Sequence, residues 1–194
     1  MDNGTAILNS WLTTAVEVLQ ENAAELNRLD RAIGDGDHGA NMLRGFRAAA
    51  PALDPEQAAP QNVKNVGMAL VSHVGGAAGP LFGTFFLRAG QQWQEDLSTD
   101  VLAQAFRAGL DGVISRGRAK LGDATMVDAL APAVDSLEDS AAAGLDLETA
   151  MTAAAEAARQ GAGATSEMVS KKGRAAAFGQ ASLGHVDPGA ASSA

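Results

Sequence analysis

The chain has 194 residues, 46% of them hydrophobic, enough for one domain with a continuous buried core. Its net charge of −9 argues against non-specific binding to nucleic acid or to an anionic membrane. Without cysteine it can form neither a disulfide nor a thiolate metal site, which fits a reducing cytoplasm.

The hydrophobic period is helical almost throughout. Leu8, Leu12, Val16, Leu19, Ala23 and Leu26 predict a first helix over 5–28. A second runs over 39–50 and is ended by Pro51, with Pro55 and Pro60 marking the loop that follows. Val63, Val66, Leu70 and Val74 mark a third. A fourth begins near Pro80 and carries Leu81, Phe82, Phe85, Phe86 and Trp93; it is apolar nearly all round, which predicts a central place. Leu102, Phe106, Leu110 and Val113 define a fifth, capped by Ser98 or Thr99. The sixth carries Met126, Leu130, Val134 and Leu137, with a kink or break expected at Pro132. Asp146 caps a seventh, alanine-rich helix reaching about Ser170. No segment shows sustained strand alternation, so the expectation is one all-α domain over 1–194.

Two absences are also expected. The N-terminus has no basic and apolar pair of regions that would make a signal peptide. The segment Asn65 to Leu87 holds no Asp, Glu, Lys or Arg and is long enough to span a bilayer. Its centre reads Gly75-Gly76-Ala77-Ala78-Gly79-Pro80, which predicts two buried helices meeting at a glycine turn, with no membrane anchor.

Three groups of residues carry chemistry. Asp30, Asp35 and Asp37 fall within eight residues interrupted by glycines. Carboxylates that close repel unless a cation lies between them, and carboxylate oxygens are what Mg²⁺ prefers. A solvated Asp-Gly turn is the alternative, since both residues are ordinary in turns. The glycine turn at 75–80 opens a helix whose N-terminal N–H groups suit an anion, though such a turn also serves close helix contacts. Six of the 14 Lys and Arg lie in two short loops, Arg116, Arg118 and Lys120 in one and Lys171, Lys172 and Arg174 in the other. Basic runs are commonly solvated, but the planar fork of Arg174 matches phosphate. His73 sits on an apolar helix as a core or helix-end residue, and no Ser-His-Asp arrangement is defensible.

Five segments in order carry a resemblance. They are Ile33-Gly34-Asp35-Gly36-Asp37-His38-Gly39-Ala40-Asn41-Met42, Gly75 to Phe86, Gly122-Asp123-Ala124-Thr125-Met126-Val127-Asp128, Lys172-Gly173-Arg174-Ala175, and Ser182 to Ala190. Together they are similar to the DhaL family, the nucleotide-binding subunits of dihydroxyacetone kinases. The resemblance implies a barrel of seven to eight antiparallel helices with the nucleotide at one end. It implies that Asp30, Asp35 and Asp37 hold two Mg²⁺ ions against the diphosphate of ADP or ATP. His38, Gly39, Ala40 and Asn41 would line the nucleotide, and Ala77 and Ala78 would contact phosphate. Gly117 and Met126 would lie at the adenine side, with Arg174 and Asp187, Pro188 and Gly189 completing the site. No catalytic residue is assigned.

The function implied is phosphoryl transfer: resident ADP is phosphorylated by a phosphohistidine protein of the phosphotransferase system. The phosphoryl group then passes to dihydroxyacetone on a separate substrate-binding subunit. Two rivals stand beside it: an ATP-dependent kinase for dihydroxyacetone or another keto-sugar, and a non-catalytic helical protein that binds divalent cations. A cytoplasmic protein is expected, with a homodimer allowed. Three departures matter. Ala78 stands where the family usually has Ser, Ala124 where it often has Lys, and the family continues past the Asp-Pro-Gly segment into a final helix. Without that helix one flank of the barrel is expected to be uncovered.

Overall fold

The computed structural model describes residues 2–194. Among them no strand occurs; the helices are α1 (Asn3–Ile33), α2 (His38–Ala49), α3 (Ala59–His73), α4 (Ala78–Ala89), α5 (Thr99–Gly117), α6 (Met126–Ala142), α7 (Leu147–Ala164) and the short α8 (Pro188–Ala191). Three 3₁₀ segments supplement them, the longest over Arg174–Ser182. None of these helices is long and apolar enough to cross a membrane. The uncharged run at 65–87 is divided between α3 and α4 at the glycine turn, as its composition predicts.

Each helix packs on the next along the chain from α1 to α7, and α8 lies against α1, α6 and α7 to close the ring. Alternation of direction gathers the α1–α2, α3–α4 and α5–α6 junctions and the segment after α7 at one end. The core runs down the middle. Leu8, Leu12, Met42, Val63, Leu70, Leu110, Val134 and Leu137 are all at most 1% exposed. The aromatics join neighbours across it: Phe85 of α4 meets Phe106 of α5 edge-on at 5.2 Å, and Trp11 of α1 lies 5.4 Å from Phe86 and 5.9 Å from Phe46. α4 packs chiefly between α3 and α5 as one member of the ring, so the central place its composition predicts is corrected: its aromatic side chains reach inward to α1, α2 and α5.

Local chemistry explains the boundaries. Ser98 caps α5 by accepting from Val101 N–H, and Asp146 caps α7 by accepting from Thr149 N–H. Several expectations are corrected. α1 begins before residue 5 and runs on to Ile33, because nothing in 29–33 breaks a helix; Asp30 is therefore helical. Pro60 belongs to the first turn of α3 and not to the loop, since proline's missing N–H has no partner to lose there. α4 ends at Ala89, and Trp93 lies beyond Gly90. α7 ends at Ala164, short of Ser170, where Thr165 turns its hydroxyl onto Ala162 carbonyl at 2.6 Å.

Pro132 does not break α6, which is continuous over Met126–Ala142. Proline removes the N–H that would have bonded the carbonyl four residues earlier, that of Asp128. That carbonyl faces Gly161 of α7, where any Cβ would collide with it. The side-chain-free glycine lets α7 approach α6 closely at this point.

Candidate functional site

At the loop-rich end lies a cleft of about 670 Å³. Asp30, Asp35, Asp37, His38 and Asn41 line it from the α1–α2 junction, and Ala77 and Ala78 from the glycine turn. Gly117 and Met126 come from either side of the α5–α6 loop, Arg174 from the segment after α7, and Asp187, Pro188 and Gly189 from the start of α8. Five separated stretches of sequence thus meet in one place. Gly39 and Ala40 stand outside the lining. Gly39 is buried against the Ala23 backbone, where a Cβ would clash with the Ala23 carbonyl, and Ala40 donates its N–H to Asn27 Oδ1 at 3.1 Å. Both hold α2 against α1.

The carboxylates are arranged by the backbone. Oδ2 of Asp30 accepts from Gly36 N–H at 2.8 Å, Asp37 N–H at 2.9 Å and His38 N–H at 3.2 Å. A residue on the last turn of α1 thereby folds the loop back and serves the N–H groups that open α2, whose own cap residue Asp37 makes no side-chain bond. One oxygen from each of Asp30, Asp35 and Asp37 lies within 4.8 Å of the others. Asp30 is only 9% exposed, whereas Asp35 and Asp37 open to the cleft, a set suited to a hard divalent ion. Arg174 Nη1 reaches Asp35 Oδ1 at 2.5 Å, so the guanidinium supplies positive charge to one edge of the cluster.

Across the cleft, α4 opens without a side-chain cap. Its first N–H groups are free for an anion, and the helix dipole favours one there. The third wall is mostly apolar, with Leu81, Phe82, Val113, Met126 and Val127 among its residues. Thr125 and Asp128 form a capping box at the start of α6, and Asp128 Oδ1 also accepts Gly122 N–H at 2.6 Å. That box holds Ala124 at φ 54°, a backbone conformation that costs a non-glycine residue about 1 kcal/mol or more. The basic clusters divide by role. Lys171 donates to Gly122 carbonyl at 2.8 Å and pins the two loops together, whereas Arg116 and Lys172 line the cleft.

Two titratable groups lining the cleft are shifted. Burial pushes the Asp187 carboxyl up to about 7, with the nearby charges of Asp128 and Asp30 adding to the effect against the Ala190 N–H it accepts at 2.7 Å. Burial also lowers His38, opposed by Asp30 and Asp37, and its Nε2 lies 2.8 Å from Ser192 Oγ. His73 is exposed at the end of α3, with Nδ1 2.9 Å from Ala69 carbonyl, so it is the helix-end residue of the two readings. Sequence reasoning passed over Ile33, Leu81, Val113 and Val127 because their spacing reads as core. Ser192 carries no local signal at all, since it reaches His38 only through the fold.

The DAK2 domain family model matches residues 32–194. The ADP-binding subunit DhaL of the PEP-dependent dihydroxyacetone kinase of Escherichia coli K12 is 47% identical over 97% of this chain and 91% of its own. A counterpart from Listeria innocua, the ADP-binding subunit DhaL of its PEP-dependent dihydroxyacetone kinase 1, is 41% identical over 95% of this chain and 89% of its own. L-erythrulose 1-kinase of Mycolicibacterium smegmatis is 38% identical over 93% of this chain but only 32% of its own. Among solved structures, the dihydroxyacetone kinase of C. freundii in complex with AMP-PNP and Mg²⁺ superposes with a TM-score of 0.76 at 28% identity, covering 99% of this chain. This chain spans about a third of that enzyme (33%).

Proposed function

The chain belongs to the DAK2 domain family, and we propose that it is the ADP-binding subunit of a dihydroxyacetone kinase that draws its phosphoryl group from a phosphohistidine protein. The observation that carries this reading is the convergence of three carboxylates, an uncapped helix N-terminus and Arg174 on one cleft with an apolar wall. It is supported by relatives named as ADP-binding subunits that match this chain over nearly their whole length.

The donor set fits a Mg²⁺-nucleotide. Asp30 commits one oxygen to the loop, leaving its second oxygen with Asp35 and Asp37 for metal. Two ions among three carboxylates, as the resemblance implies, would let each ion keep water and phosphate oxygens in its shell. The N–H groups at the start of α4 and the guanidinium of Arg174 would face the phosphates, and Leu81, Val113, Met126 and Val127 would flank the base. Bound Mg·ADP supplies the site at which a phosphoryl group is accepted and passed on. The chain's own residues position and neutralise, which is most of what phosphoryl transfer requires of a protein. The keto-sugar is held on a separate subunit.

An ATP-dependent kinase is the second reading. It is favoured by the erythrulose kinase relative, in which a segment like this one is about a third of a longer chain (32%). Reconstitution separates the two. The expected result is triose phosphorylation only when a dihydroxyacetone-binding subunit and a phosphohistidine donor are both present. Turnover on ATP without that donor, with rapid exchange of labelled ATP into the site, overturns the first reading in favour of the second.

A further inference from the structure

Asn41 stands in the first two turns of α2, buried, with its side chain on the cleft. Its orientation follows from a neighbour three residues on. An arginine side chain carries donors only, so the Asn41 atom 2.6 Å from Arg44 Nη2 is the acceptor Oδ1. Nε of the same guanidinium donates to the carbonyl of His73, the last residue of α3, at 3.0 Å. One planar fork therefore grips both the Asn41 amide and the chain just ahead of the glycine turn.

With Oδ1 engaged, the amide N–H₂ of Asn41 is left over. Nδ2 makes no hydrogen bond among the described residues and, unlike Trp93 Nε1, is not sealed away from solvent. The whole amide lies against the turn: a Cβ on Gly75 would come 2.9 Å from Oδ1 and 3.0 Å from Nδ2. A glycine at 75 thus leaves room for the amide beside the turn that opens α4.

We infer that Arg44 is a positioning residue: it turns the Asn41 amide so that its N–H₂ faces the cleft as an anion donor, and it ties that donor to the glycine turn through His73. The inference rests on the phosphate site proposed above. Arg44 is exposed, does not line the cleft and has both of these donors committed, so it acts through Asn41 and not as a phosphate ligand. Lysine at 44 would keep the charge but cannot span two acceptors from one plane.

Calorimetry with Mg·ADP on nucleotide-stripped protein tests this in parent, Arg44→Lys, Arg44→Ala, Asn41→Ala and the Arg44→Ala/Asn41→Ala double variant. The expected result is that Arg44→Lys and Arg44→Ala each weaken binding about tenfold, the scale of one hydrogen bond to a charged group. The double variant should bind no more weakly than Asn41→Ala alone. Parental affinity in Arg44→Lys, or additive losses in the double variant, overturns the inference while leaving the nucleotide site intact. A parent that binds no Mg·ADP overturns the site and the inference together. A second readout needs no folded Arg44 variant: the Asn41 side-chain N–H₂ resonances of the parent, identified by their loss in Asn41→Ala, shift on adding Mg·ADP. If they do not move, Asn41 is not a donor to the ligand and the inference fails.

Discussion

Asp30 and Asp35 belong to the same carboxylate cluster, yet their removal should have different consequences before any ligand is present. Asp30→Ala strips three N–H groups of the acceptor that folds the 34–38 loop. At about 1.5 kcal/mol for each bond to a charged acceptor, the gross loss is about 4.5 kcal/mol. Water takes over part of this, because the loop is partly exposed, and relief of repulsion from Asp35 and Asp37 returns about 1 kcal/mol. A net loss of about 3 kcal/mol remains, equivalent to a melting point lower by roughly 6 to 12 °C for a chain of this size. Asp35→Ala loses only its ion pair with Arg174, whose partners are 43% and 63% exposed, and such pairs contribute about 0 to 1 kcal/mol. Relief of repulsion offsets that, and its stability in chelator should lie within about 0.5 kcal/mol of the parent. Urea and thermal unfolding in chelator measure the difference. With Mg·ADP at a hundredfold excess over its dissociation constant the parent gains about 2.7 kcal/mol, and neither variant should share that gain. Equal stability of the two variants in chelator would refute the assignment of Asp30 as organiser of the loop.

Arg174→Lys should weaken Mg·ADP binding less than Arg174→Ala, because lysine keeps the charge and loses the planar fork; equal losses in calorimetry would show that geometry is all that counts there. The pKa of Asp187, about 7 in the fold against an ordinary carboxylate value when unfolded, means that the folded state holds the proton more tightly. Its stabilisation is therefore full at low pH and is lost as pH rises toward 7. Between pH 5 and pH 7 the parent should lose up to about 2 kcal/mol relative to Asp187→Asn, measured by urea unfolding, and parallel profiles would contradict this. Gly161→Ala drives a methyl group into the Asp128 carbonyl and should destabilise by about 2 to 3 kcal/mol in the same assay; a neutral result would mean that α7 shifts freely on α6.

Much of this was legible because helices leave a period in the sequence. The apolar steps along α1, α5 and α6 place these helices correctly, and the caps at Ser98 and Asp146 follow from one side chain meeting one N–H. Boundaries failed where a neighbour decided them. The α4 stop before Trp93 depends on Gly90 and the turn that follows, and α6 runs on through Pro132 where it packs closely against Gly161 of α7. At the site, Asp30, Asp35, Asp37 and Arg174 were readable because charge clustered beside glycine is unusual in a chain with so few basic residues. Gly39 and Ala40 share the same motif but serve the α1–α2 contact, a distinction that exists only in three dimensions. α8, which has no helical period to announce it, lies on α1, α6 and α7 and carries Asp187 to the cleft.

The central claim is that this end of the helical ring holds Mg·ADP as a resident cofactor. Protein purified without added nucleotide, precipitated with acid and assayed by chromatography and mass spectrometry, tests it directly. The account predicts close to one ADP per chain, retained through gel filtration in Mg²⁺ and released by chelator. Protein that carries no nucleotide, and that takes up none when ADP and Mg²⁺ are supplied, would contradict it.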